Sequence, residues 1–185
     1  MQPEARLFDV HSMTKMAVCV ALICISAYIS IQVPFASAMV TILTLTMNLA
    51  AFLLTPKQTF LVILLYVALG VAGLPVLGGG EAGPGVILGP RGGFYAAFLV
   101  AYPLVSLCKG EAISFRRYAL AAGLVSIPIT YIGGVLSVMW FAKLTLSQAV
   151  MVAALPFIPG DIVKAIAAAW LGARLNRILA SGDFQ

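Results

Sequence analysis

A few side chains in this sequence have the types and spacing to hold a small polar molecule. Asp161 and Lys164 are three residues apart, so on a helix they share one face. Arg91 and Tyr95 are four apart and do the same. Asp161 can accept N–H groups, whereas Arg91 and Lys164 are donors suited to a carboxylate or a carbonyl. Phe94, Tyr95 and Phe35 can supply an apolar wall and a hydroxyl. The ligand that such a set suits is small, has a polar head with N–H and C=O groups, and carries an acid. Two structural alternatives stand beside this reading. Asp161 can cap its helix and pair with Lys164, and Arg91 can snorkel to lipid head groups.

These charges stand out because the rest of the chain is so apolar. Of 185 residues, 62% are hydrophobic and 9% charged, and the mean hydropathy is +1.08. Soluble domains carry roughly 25% charged residues. The sequence therefore reads as an all-α integral membrane protein, a single membrane domain over residues 1–185. At roughly 20 residues per spanning helix the length allows six spans. An ionisable group at membrane depth is costly and usually faces a cavity, which makes Arg91, Asp161 and Lys164 functional candidates. The net charge of +5 does not imply nucleic acid, because the basic residues sit singly or in pairs at span ends.

The elements that must position the candidates follow from the apolar runs. Spans are expected over about 14–33, 38–54, 59–74, 91–107, 118–141 and 159–179. Residues 1–13 form a polar cytoplasmic segment containing His11, and 180–185 a cytoplasmic tail. Residues 144–157 are apolar but too short to span, and read as an interfacial or re-entrant segment. Pro159 and Asp161 then suit the first turn of the last helix. In span two, Thr41, Thr44, Thr46 and Asn48 suggest an inward face. With both termini cytoplasmic, the inner side holds Arg6, Lys15, Lys57, Lys109, Arg116, Arg117, Arg174 and Arg177, and the outer side only Arg91 and Lys143.

On that topology the outer connection between spans three and four is the glycine-rich stretch over residues 70–98. It holds ten of the 17 glycines and three of the ten prolines, with Glu81, Arg91 and Gly92 inside it. Its glycines would let backbone approach a ligand closely, as an outer lid that opens and closes. Ala17 and Ala21 make a small-xxx-small pair in span one, which fits packing within the bundle and docking to a partner equally well. Cys19, Cys24 and Cys108 have no metal or disulfide spacing and read as buried thiols. No catalytic, nucleotide or cofactor motif is present, so no catalytic residue, metal or cofactor is expected.

Three stretches carry a family resemblance: YVALGVAGLPV over 66–76, LGPRGGF over 88–94 and PFIPGDIVK over 156–164. Nearly the whole chain resembles, in order, the BioY family, the biotin-binding S components of energy-coupling factor transporters. That family commonly shows threonine and tyrosine in its GP-T-GG-Y run, where this chain has Arg91 and Phe94, with Tyr95 one place later. The resemblance implies a multi-pass protein of the cell membrane that captures biotin from outside. It also implies docking onto a transmembrane T component and two cytoplasmic ATPases, with Ala17 and Ala21 on the docking face. Biotin fits the residues read above. Asp161 would accept from the ureido N–H, Lys164 would donate to a ligand oxygen, and Arg91 would take the remaining carbonyl or carboxylate. An S component for another small vitamin, an intramembrane enzyme using Asp161, and a ligand-free assembly subunit are the other readings the sequence allows.

Overall fold

A computed structural model describes residues 9–32 and 39–181. Helices dominate it: α1 (Val10–Ser26), α2 (Leu43–Leu53), α3 (Pro56–Val71), α4 (Pro84–Ile87), α5 (Gly92–Cys108), α6 (Phe115–Ala121), α7 (Ile127–Ala142), α8 (Leu146–Ala153) and α9 (Ile158–Ser181). The expected helical class holds, with one addition. Between α1 and α2 the chain forms a two-stranded antiparallel hairpin, β1 (Ser30–Gln32) and β2 (Met39–Thr41), pairing Ser30 with Thr41 and Gln32 with Met39. The expected second span, from residue 38, therefore begins as strand and turns helical only at Leu43.

Local chemistry sets several boundaries. Thr55 caps α3: its hydroxyl accepts from the Gln58 N–H at 3.4 Å while the Gln58 side chain accepts from the Thr55 N–H at 3.1 Å. Pro56 occupies the first turn, where its missing N–H costs nothing. Thr145 and Gln148 repeat that reciprocal cap on α8. α6 and α7 form one 28-residue helix interrupted by a π turn at Ala122–Ser126. Pro128 lies just beyond it, and the Ser126 hydroxyl donates to the Ala122 carbonyl at 2.8 Å. Gly133 meets Gly93 of α5, where a side chain on either residue would strike the other's carbonyl.

α5 is central, packed against α7 on one side and α3 on the other, while α2 lies along α9. Phe52 of α2 stacks on Tyr118 of α6 with ring centroids 4.6 Å apart. A second apolar cluster joins Tyr131, Val135 and Val138 of α7 to Ala149, Ala153 and Phe157 around α8. α8 meets α9 at a 50° bend, in keeping with the short apolar segment expected there.

Among the described residues, Phe115–Ala142 alone is long and apolar enough by itself to cross a membrane. The bent pair α8 and α9 passes the same test together. α1, α2, α3 and α5 are shorter apolar helices of 17, 11, 16 and 17 residues.

Candidate functional site

Most of the sequence-predicted site residues converge on one cavity. Asp161 and Lys164 of α9, Arg91 at the N-cap of α5, and Phe94 and Tyr95 in its first turns all line it. The space between them amounts to about 640 Å³ when everything out to the open mouth is counted. Phe98, Phe157 and Leu43 complete an apolar wall, and Thr44, Thr130 and Tyr131 add hydroxyls.

Asp161 is the polar centre. It lies in the first turn of α9, where the helix dipole favours a negative charge. Tyr131 donates its hydroxyl to Asp161 Oδ2 at 2.5 Å, and Thr44 donates to Oδ1 at 3.1 Å. Lys164, one turn along, forms an ion pair with Oδ1. The Asp161 and Lys164 side chains are only 12% and 15% exposed, so their mutual pairing keeps the site nearly neutral. Lys164 Nζ also donates to the Thr41 carbonyl at 2.9 Å, tying the end of the hairpin to α9. The carboxylate is therefore fixed by α2, α7 and α9 together, and its remaining lone pairs can accept a ligand's N–H groups.

The glycine-rich stretch frames the mouth as an anchored loop. Leu77 is fully buried. Gly79 N–H donates to the Ala27 carbonyl at the end of α1, and Gly83 N–H to the Gly70 carbonyl in α3. Gly78 N–H donates to the Tyr95 hydroxyl at 3.0 Å, so this backbone group is already taken and Tyr95 holds the loop as well as lining the cavity. Arg91 Nη2 donates to Glu81 Oε1 at 2.6 Å, closing the loop by an ion pair.

One expected site residue is not brought to this cavity. Gly92 does not line it: it is buried beneath α4, where a side chain would meet the Ile87 carbonyl at 1.8 Å, so glycine there permits close packing of loop on helix. Phe35 lies outside the described residues. Ala17 and Ala21 are exposed on the outward face of α1 beside Val18, Leu22 and Ile25. Cys108, expected to be buried, is exposed at the end of α5.

Sequence reasoning missed Tyr131, Thr130, Phe98, Phe157 and Gly78 as cavity residues. For Thr41 and Thr44 the sequence suggests an inward face and no more. For Tyr131 the available signal was a Thr-Tyr pair in an otherwise apolar span.

This arrangement can be compared with known proteins. The BioY family profile matches residues 1–181. The chain belongs to the BioY family. Among its relatives, "Biotin transporter BioY2" of Lactococcus lactis subsp. cremoris is 34% identical over 169 residues, covering 91% of this chain and 92% of the relative. "Biotin transporter BioY" of Thermotoga maritima is 31% identical over 168 residues, covering 91% and 97%. A crystal structure of the S-component for biotin from an ECF-type ABC transporter superposes with a TM-score of 0.83 at 25% identity, covering 95% of each chain. Membership of this family of transporters makes the chain a membrane-embedded protein.

Proposed function

We propose that this chain is the biotin-capturing S component of an ECF-type importer. The observation that carries the reading is the set of groups around Asp161. A part-buried carboxylate is held by Tyr131, Thr44 and Lys164 on one wall of the cavity, with Phe94 and Phe98 among the apolar residues lining it. Biotin's ureido ring has two N–H groups and a carbonyl, its bicycle is apolar, and its tail ends in an acid. Asp161 accepts a ureido N–H, Lys164 donates to a ligand oxygen, the phenylalanines pack on the bicycle, and Arg91 at the mouth receives the carboxylate. Family membership and relatives named as biotin transporters support the same ligand.

The chain crosses the cell membrane six times with both termini cytoplasmic. The crossings are α1, the hairpin with α2, α3, α5, the α6–α7 helix, and α9 with α8 as a re-entrant companion. At 1.5 Å per residue, helices of 16–17 residues reach about 25 Å, so flanking residues complete each crossing of the ~30 Å core. The distribution of Lys and Arg supports this orientation, with the cavity opening outward. Uptake requires a transmembrane T component and two cytoplasmic ATPases, docked through Ala17 and Ala21 on the exposed face of α1. Mass spectrometry of the small molecule retained by the purified chain tests the reading. Biotin is expected; a different vitamin, or turnover of the ligand by the chain alone, would overturn it.

A further inference from the structure

We propose that Glu81 is a built-in counter-ion for Arg91 that sets how strongly the site prefers an anionic ligand over a neutral one. The inference rests on the biotin reading of the cavity and adds a residue that does not line it. Both cations of the site are already matched within the chain. Lys164 is held by Asp161 and the Thr41 carbonyl. Arg91 is held by Glu81.

The two pairs differ in how readily they can exchange. Asp161 and Lys164 are 12% and 15% exposed, and both have further partners in the core. Arg91 and Glu81 are 30% and 29% exposed. Their contact is one-armed: Arg91 Nη2 meets Oε1, while the buried Glu81 Oε2 has no hydrogen-bond partner among the described residues. A guanidinium and a carboxylate can share two parallel bonds, so this pair forgoes half of its capacity. Arg91 borders the main cavity and also a second hollow, which Glu81 lines together with Gly85 and Gly89. Its guanidinium thus lies between an internal carboxylate and the place where a ligand's acid would arrive.

Charge balance gives the direction. Asp161 and Glu81 against Lys164 and Arg91 sum to zero. A ligand carboxylate brings the site to minus one, with Glu81 repelling it from across Arg91. Glu81→Gln keeps the shape and removes that repulsion. The Glu81 carbonyl, which accepts from the Leu77 N–H at 3.0 Å, is untouched by the substitution. Two like charges about 7 Å apart at a partly exposed site interact strongly enough to change affinity by about tenfold after allowance for solvent screening.

The test is calorimetric titration of the biotin-free, detergent-solubilised chain with biotin and with biotin amide, which has the same ring and an uncharged tail. In Glu81→Gln the acid-to-amide affinity ratio is expected to rise about tenfold, with amide affinity unchanged. Arg91→Gln should lower the ratio, and Glu81→Gln added to Arg91→Gln should raise it again, since the repulsion between Glu81 and the ligand acid does not need the Arg91 charge. A ratio that stays constant or falls on Glu81→Gln, in either background, overturns the proposal. Loss of both ligands in Glu81→Gln and Glu81→Ala alike also overturns it, since Glu81 would then act through the fold. If the unaltered chain binds neither compound, the biotin reading itself fails, and the two failures are distinct.

Discussion

Tyr131→Phe removes one oxygen from the centre of the site and leaves the ring in place. That hydroxyl donates to Asp161 Oδ2 at 2.5 Å, within the short range of charge-assisted O–H···O⁻ bonds. Tyr131 is 8% exposed and the Asp161 side chain 12%, so water cannot readily replace the donor. A hydrogen bond to a charged group contributes about 1.5–3 kcal/mol net. Thr44 donates to the other oxygen of the same carboxylate over a longer 3.1 Å, which sets its contribution just below that range, at about 1 kcal/mol. Tyr131→Phe should therefore cost about 1.5–3 kcal/mol and Thr44→Val about 1. For a chain of this size the first corresponds to a fall in melting temperature of roughly 3–12 °C. Thermal unfolding in detergent, run on both variants and repeated in the Asp161→Asn background, measures the coupling. The expected outcome is a larger loss for Tyr131→Phe that shrinks to under about 0.5 kcal/mol once the charge is gone. An equal loss with and without the Asp161 charge would refute the view that Tyr131 works by fixing that carboxylate.

Other substitutions probe separate parts of the account. A side chain at Gly134 would fall 2.1 Å from the Phe94 ring, so Gly134→Ala should push that ring into the cavity and weaken ligand binding by about tenfold, read by titration. Lys109 Nζ donates to the Ala51, Phe52 and Leu54 carbonyls at the end of α2, 2.9, 2.9 and 2.5 Å away. Lys109→Met strips those acceptors of a charged donor and should cost about 2–4 kcal/mol in thermal unfolding, while ligand affinity at the far end of α2 changes less than threefold. Ala17→Trp or Ala21→Trp on the exposed face of α1 should abolish co-purification with the T component and leave ligand affinity intact; complex formation by both variants would remove this face from the docking surface.

What the sequence made legible was the chemistry that is rare in an apolar chain. Asp161, Lys164 and Arg91 stand out because a charge at membrane depth needs a reason, and all three line one cavity. The third span, expected from about residue 59, starts three residues earlier, because the Thr-Pro-Lys-Gln cap already opens α3 at Pro56. Tyr131 was not legible, because its meaning depends on α7 facing α9 thirty residues later, and on a π turn that shifts the helix register just before it. Nor was the hairpin at the start of the second span, since an apolar run containing Thr and Val suits strand and helix alike. Gly92 shows the opposite error. A glycine beside a candidate ligand residue suggested close backbone approach to the ligand, whereas the Ile87 carbonyl occupies that space. The glycine-rich stretch looked like a free lid, but long-range bonds to Ala27, Gly70 and Tyr95 anchor it. Such bonds leave no mark in local sequence.

The central claim is that Asp161 and Lys164 hold the ligand, and equilibrium titration with biotin tests it most directly. Purified Asp161→Asn and Lys164→Ala chains should each bind biotin at least tenfold more weakly than the unaltered protein, as the loss of one charge-assisted hydrogen bond at a part-buried site requires. Unchanged biotin affinity in both variants would contradict the account.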